Sequence, residues 1–107
     1  NEPQPDVVLI RPGEGFYATR HPRPEDVVLL IEVSDTTLRY DRNVKLPIYA
    51  RNGISEVWIV DLDNDVIHVH HQPTAGSYAM VDTKRRGESI SLHAFPSFAI
   101  GVDDLLG

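Results

Sequence analysis

Residues 27–53 read VVLLIEVSDTTLRYDRNVKLPIYARNG, and this stretch decides the fold. Its first part, residues 27–33, is the most hydrophobic run of the chain and predicts a central strand. Residues 34–52 predict a helix, because Ser, Asp and Thr at its start can cap it and Gly53 can end it. Pro47 lies inside this span and is expected to kink the helix or to split it in two.

Apolar segments on both sides of this strand–helix pair predict the rest of a sheet. Residues 6–10, DVVLI, are apolar after the first residue and predict a buried strand. The other segments expected to form strands are residues 57–60, 66–71, 77–82 and 89–93. Residues 102–106 are expected to form a short terminal turn. The order of two strands, a helix and a strand meander predicts an α/β or α+β domain with a mixed sheet.

The composition is that of one globular domain and excludes several classes of protein. The 107 residues are 41% hydrophobic and 24% charged, which argues against disorder and coiled coil. With 10 Lys and Arg against 16 Asp and Glu, the net charge of −6 argues against nucleic-acid binding driven by a basic surface. The absence of cysteine excludes disulfides and thiol catalysis. No apolar run is long enough for a membrane span, so we expect a cytoplasmic protein without membrane contact.

Two carboxylates and a lysine are the residues best placed to carry chemistry. Glu32 lies within the apolar run, where burial is costly unless the carboxylate has a partner or a metal; otherwise it occupies an exposed strand end. Asp6 begins the first predicted strand, where backbone amides could also satisfy it. Lys45 shares a helical stripe with Tyr49, and its alternative role is an ion pair with Asp41, four residues earlier.

These three residues together suit one type of reaction. Two carboxylates with backbone oxygens and waters suit a hard cation such as Mg²⁺. A lysine beside that cation can position or deprotonate a water, or stabilise negative charge on a phosphate. The set of Asp6, Glu32 and Lys45 therefore favours metal-assisted hydrolysis of a phosphodiester.

At these residues the sequence resembles a known family. Pro5-Asp6, followed 26 residues later by Glu32 within IEVS, is similar to the signature of the PD-(D/E)XK nucleases. Residues 32–61, EVSDTTLRYDRNVKLPIYARNGISEVWIVD, resemble one bacterial branch of that superfamily, the restriction-type endonucleases. The residues that match the pattern of this branch are Asp41, Lys45, Tyr49, Gly53, Glu56, Trp58 and Asp61.

The resemblance implies a restriction-endonuclease-like core, with a mixed sheet and a flanking helix. It implies a DNA endonuclease in which Asp6 and Glu32 bind Mg²⁺ or Mn²⁺ and Lys45 is catalytic. The superfamily usually has its lysine two residues after the acid, where this chain has Ser34, so the lysine has moved to the helix. The residues expected around this site are Ser34, Asp41 and Asp61 in a supporting shell, with Arg39 and Arg42 as possible phosphate contacts.

The resemblance also bears on domain organisation and assembly. Members of the branch carry a further helix and strand before the Pro-Asp pair, so residues 1–107 are expected to be one N-terminally truncated domain. A sheet edge left open in this way could pair with another chain, which predicts a homo-oligomer, most simply a dimer. The competing interpretation is a non-catalytic interaction module that retains the nuclease fold for assembly.

Three other motifs have simpler explanations than a functional site. Residues 61–65, DLDND, lack the glycine and glutamate that an EF-hand loop needs and predict an acidic hairpin turn. His68 and His70 share one strand face without an evident third metal ligand. The basic residues 84–86 are either a phosphate-contacting turn or the solubilising tip of a hairpin.

Overall fold

A computed structural model describes residues 6–11, 23–35 and 39–107, with residues 39–43 described by their backbone only. Five strands form its main sheet: β1 Val7–Ile10, β2 Val27–Ser34, β3 Glu56–Asp61, β4 Val66–Thr74 and β5 Ser77–Arg85. They lie side by side in the order β1-β2-β3-β4-β5. β2 and β3 are parallel and the other pairs are antiparallel, so the sheet is mixed and the predicted α+β class is confirmed.

The parallel pair needs a crossover connection, and helix α1, Arg39–Arg51, supplies it. The helix runs through Pro47 as one continuous element, so the predicted split does not occur. Gly53 ends the helix as predicted: its φ of +73° lies in the left-handed region, and its N–H donates to the carbonyl of Ala50. The next N–H, of Ile54, donates to the carbonyl of Tyr49 and turns the chain into β3.

The sheet buries a hydrophobic cluster on each of its faces. On one face α1 covers a cluster formed by Leu30, Tyr49, Ile54, Val57 and Ile59. The opposite face packs against the C-terminal segment, which contains β6 Ser89–Ser91, β7 Ala99–Gly101 and the short helix α2 Val102–Leu106. The alternation along β2 decides which side chains face α1: Leu30, Glu32 and Ser34 point to one face, Leu29 and Ile31 to the other.

The first strand is an edge strand, and the prediction that it is buried was wrong. β1 pairs only with β2 among the described strands, and Val7 and Val8 are each 44% exposed. An apolar run indicates strand propensity, but whether both its faces are covered depends on elements far away in the sequence.

The C-terminal half follows the predicted meander, but several strand ends differ and one strand is added. β5 extends to Arg85, so two of the three basic residues predicted in a turn belong to the strand. β7 was not predicted, because three residues beside a Phe-Pro loop carry no strand periodicity. No helix in the described part of the chain is long and apolar enough to cross a membrane.

Candidate active site

The centre of the candidate site is the buried carboxylate of Glu32. β2 directs this side chain toward α1, and the residue is only 8% exposed, so it does not lie at a wet strand end. Tyr49 Oη donates a hydrogen bond of 2.5 Å to Glu32 Oε2, and Lys45 Nζ lies 3.4 Å from Oε1. A charged donor to a carboxylate usually lies at about 2.8 Å, so the lysine holds Oε1 loosely. One oxygen of the Glu32 carboxylate is therefore held by a short hydrogen bond, and the other has only a long contact with the lysine.

Asp6 lies beside Glu32 across the β1–β2 pair. Val7 is opposite Ile31 in the antiparallel register, and Asp6 directly precedes β1, at the end of this pairing that lies nearest Glu32. The negative charges of Glu32 and Asp6 both raise the pKa of the Tyr49 phenol, so both carboxylates lie near that hydroxyl. Asp6 Oδ2 accepts a hydrogen bond of 2.7 Å from the N–H of Val33, so a backbone amide does satisfy one of its oxygens. The two predicted metal ligands are thus neighbours.

Lys45 and Tyr49 reach Glu32 because they are four residues apart on α1 and share one face of the helix. The side chain of Lys45 is 21% exposed, so its ammonium lies between Glu32 and solvent. The alternative partner Asp41, like Arg39 and Arg42, has its side chain outside the described part of the structure.

Tyr49 is the residue of this site that sequence reasoning did not assign. Burial, the hydrogen bond to Glu32 and the negative charges of Glu32 and Asp6 raise the pKa of its phenol well above the ordinary value. The phenol therefore stays protonated and acts as a permanent donor to Glu32. Its spacing from Lys45 was visible in the sequence, but its target depends on how the helix crosses the sheet.

The ends of the two parallel strands bring a second group of side chains to the same edge. Ser34 at the end of β2 pairs with Asp61 at the end of β3, and both are buried. Asp61 accepts hydrogen bonds from the backbone and side chain of Asn64, at 3.2 and 3.0 Å, and its Oδ2 lies 3.0 Å from His68 Nε2. Burial opposes ionisation, but these hydrogen bonds outweigh it and lower the pKa of Asp61. Asp61 is therefore a fixed carboxylate.

Glu56, a second buried carboxylate, lies on the opposite face of the sheet and has a structural role. Trp58 Nε1 donates to its Oε2 at 2.7 Å, and the N–H of His93 donates to its Oε1 at 3.0 Å. Two neutral donors compensate the burial of this side chain, which is 1% exposed. Glu56 thus ties the C-terminal segment to β3.

The other sequence motifs form local contacts. His71 contacts Asp82 at 3.1 Å and stacks on His93 with ring centroids 4.2 Å apart, whereas His68 contacts Asp61. The histidines of β4 therefore do not converge on one point.

Arg86 forms ion pairs with two aspartates. Its guanidinium contacts Asp65 at 2.5 and 2.8 Å and Asp103 at 3.4 Å. These contacts raise the pKa of Arg86, chiefly through the hydrogen bonds to Asp65, and outweigh the opposing effect of desolvation. Arg86 thus joins the 61–65 turn to α2, which gives this one residue of the basic cluster a structural role.

A mixed sheet with a crossover helix is compatible with the restriction-endonuclease-like class of proteins. The Uma2 family model, described as "Putative restriction endonuclease", matches residues 1–103. The chain therefore belongs to the Uma2 family, and the sequence resemblance is confirmed at that level. A search of curated proteins found no match.

Proposed function

We propose that this protein is a metal-dependent endonuclease that hydrolyses phosphodiester bonds of DNA. The observation that carries the proposal is that Asp6, Glu32 and Lys45 lie close together in space. Asp6 Oδ2 accepts a hydrogen bond of 2.7 Å from the N–H of Val33, the residue after Glu32, and Lys45 Nζ lies 3.4 Å from Glu32 Oε1. The family supports a nuclease as the general class.

The donor set suits a small hard cation. No three His, Asp or Glu side chains form a metal cluster within residues 6–11, 23–35 and 39–107. Mg²⁺, however, usually takes only one or two carboxylates from a protein and completes its shell with waters and substrate oxygens. Asp6 and Glu32 would hold Mg²⁺ or Mn²⁺. Such a cation would stabilise negative charge on the phosphate and make a water bound to it more acidic.

The protein's own residues have separable roles in this proposal. Glu32 contributes a carboxylate whose orientation Tyr49 fixes through a hydrogen bond of 2.5 Å. Lys45 donates to the attacking water or to the negative charge that grows on the phosphate, which its loose contact with Glu32 permits. Asp61 and Ser34 support the same edge of the sheet from the end of the parallel pair.

Assembly through an open sheet edge is a second proposal, carried by a different observation. Val7 and Val8 on β1 are each 44% exposed, and the outer side of β1 has no strand partner among residues 6–11, 23–35 and 39–107. Such an edge is a template for another strand. A dimer formed there would lie next to Asp6, so it is compatible with the nuclease proposal.

Cleavage of supercoiled plasmid DNA tests the nuclease proposal. The wild-type protein is expected to nick the plasmid with Mg²⁺ or Mn²⁺ and to stop when EDTA is added. Removing a catalytic group commonly costs ~10²–10⁴ in rate, so Asp6→Asn, Glu32→Gln and Lys45→Met should each lose at least ~100-fold.

The matched control is Lys84→Met. Lys84 pairs with Ile67, whose side chain belongs to the cluster on the face away from α1. This variant loses one positive charge, as Lys45→Met does, and should retain wild-type cleavage. Nicking that is independent of divalent ions, or that survives Glu32→Gln, would overturn the proposal.

A further inference from the structure

The two oxygens of the Glu32 carboxylate differ in their contacts, and the difference decides which of them a cation can take. Oε2 accepts the hydrogen bond of 2.5 Å from Tyr49 Oη. Oε1 has the ammonium of Lys45 at 3.4 Å, which is longer than the ~2.8 Å usual for a charged donor. A cation such as Mg²⁺ binds a carboxylate oxygen at about 2.0–2.1 Å. Oε1 is therefore the oxygen that can exchange its present contact for a closer one.

Lys45 provides a positive charge at that oxygen. Glu32 is only 8% exposed, and a buried carboxylate is costly without a compensating charge or donor. Within the described side chains, Lys45 is the cation that pairs with Glu32. A divalent cation held by Asp6 and Glu32 would place two positive charges beside the ammonium, and like charges repel. Lys45 and the cation therefore compete for Oε1.

The exchange needs the movement of one side chain only. The Lys45 side chain is 21% exposed, against 10% for that of Glu32, so the ammonium already reaches solvent. A lysine ammonium is strongly hydrated and sits on a flexible stem of four carbons, so it can leave the carboxylate while its backbone stays in α1. Tyr49, one helical turn later, keeps its hydrogen bond to Oε2 and holds Glu32 in place.

We propose that Lys45 is a displaceable counter-ion of Glu32. It pairs with Oε1 in the protein without a bound cation, and it turns away from Oε1, toward solvent and the substrate phosphate, when Mg²⁺ or Mn²⁺ binds. The inference rests on the proposed function, because it takes Asp6 and Glu32 as the cation ligands. It adds an order of events: the lysine becomes available to phosphate only after the cation is bound.

The affinity for Mn²⁺, measured by electron paramagnetic resonance of the free ion, tests the competition without DNA. Coupling between two sites typically changes affinity ~5–150-fold, and the long contact places this pair at the lower end of that range. Lys45→Met should therefore bind Mn²⁺ ~5-fold more tightly than the wild-type protein, although it is expected to lose cleavage. The matched control is Lys84→Met, which removes a positive charge from the other face of the sheet and should bind Mn²⁺ like the wild-type protein.

Nuclear magnetic resonance of the lysine side chains tests the release itself. The chain has two lysines, Lys45 and Lys84, so lysine labelled with ¹³C at Cε gives two resonances. The spectrum of Lys45→Met assigns them. Saturating Mg²⁺ should move the Lys45 resonance toward its position in Glu32→Gln without a cation, where the ion pair is absent, and should leave the Lys84 resonance unchanged.

The outcomes separate this inference from the proposed function. If the wild-type protein binds Mn²⁺ but Lys45→Met binds it equally or more weakly, the competition is overturned while the cation site stands. A Lys45 resonance that does not respond to saturating Mg²⁺ overturns the release in the same way. If the wild-type protein binds no Mn²⁺, both the displaceable lysine and the cation site of the proposed function are overturned.

Discussion

Replacing Tyr49 with phenylalanine removes one oxygen atom and tests whether Glu32 is held as the structure indicates. The phenol donates a hydrogen bond of 2.5 Å to a carboxylate that is 8% exposed. Without it, Lys45 at 3.4 Å is the side-chain partner that buried Glu32 retains among the described residues. A hydrogen bond to a charged group contributes ~1.5–3 kcal/mol, so Tyr49→Phe should lower the free energy of unfolding by about that amount.

The matched control is Tyr78→Phe, which removes a hydroxyl from the same type of side chain. Tyr78 donates at 2.7 Å to a neutral acceptor, the carbonyl of Ile54. A hydrogen bond between neutral groups contributes ~0.5–1.5 kcal/mol, so this variant should be less destabilised. Combining Tyr49→Phe with Glu32→Gln should give a smaller loss than the two single losses added together, because each single change already abolishes the hydrogen bond from the phenol to a charged acceptor.

Urea denaturation followed by tryptophan fluorescence measures these differences, with Trp58 fully buried as the probe. With a denaturant slope of ~1–3 kcal/mol per M, the midpoint for Tyr49→Phe should fall by about 1 M. An equal cost for Tyr49→Phe and Tyr78→Phe, or strict additivity with Glu32→Gln, would refute the reasoning.

Three further predictions concern pH and assembly. Burial raises the pKa of the Tyr49 and Tyr78 phenols in the folded state, so the unfolded chain loses these phenol protons at a lower pH. The free energy of unfolding should therefore fall above pH ~10, by up to ~1.4 kcal/mol per pH unit for each residue. Urea midpoints at pH 9 to 11 check this, and Tyr78→Phe should flatten the decline. The pKa of Asp61 is lowered in the folded state, so its contribution to the free energy of unfolding is present above pH ~4 and is lost as the pH falls. Asp61→Asn should make the free energy of unfolding fall less steeply with decreasing pH, and an unchanged pH dependence would contradict the role given to Asp61. If β1 mediates dimer formation, Val8→Lys should shift sedimentation toward monomer.

The sequence predicted the order of elements because periodicity and breakers act locally. The hydrophobic run at 27–33 became β2, and Gly53 ended the helix at the predicted place. The burial of β1 could not be predicted, since the coverage of its faces depends on segments far away in the chain. The continuity of α1 through Pro47 was likewise undecided, because packing on the sheet can outweigh the loss of one backbone hydrogen bond.

For the candidate site, too, some contacts could be predicted from the sequence and others could not. The proximity of Asp6, Glu32 and Lys45 followed from strand ends and helical spacing together with the family resemblance. The contacts of Tyr49 with Glu32 and of His68 with Asp61 did not, because each depends on the sheet register or on the angle at which α1 crosses the strands. The net charge of −6 limits DNA contact by a broad basic surface, and the acidic pair would be partly neutralised by a bound cation.

A titration with Mn²⁺, followed by electron paramagnetic resonance of the free ion, tests the central claim most directly, because it needs no DNA. We expect one Mn²⁺ per chain for the wild-type protein. Asp6→Asn and Glu32→Gln, which retain side-chain shape and remove one ligand charge each, should weaken binding at least ~10-fold. Equal affinity of the wild-type protein and both variants, or no binding by the wild-type protein, would contradict the assignment of Asp6 and Glu32 as a cation site.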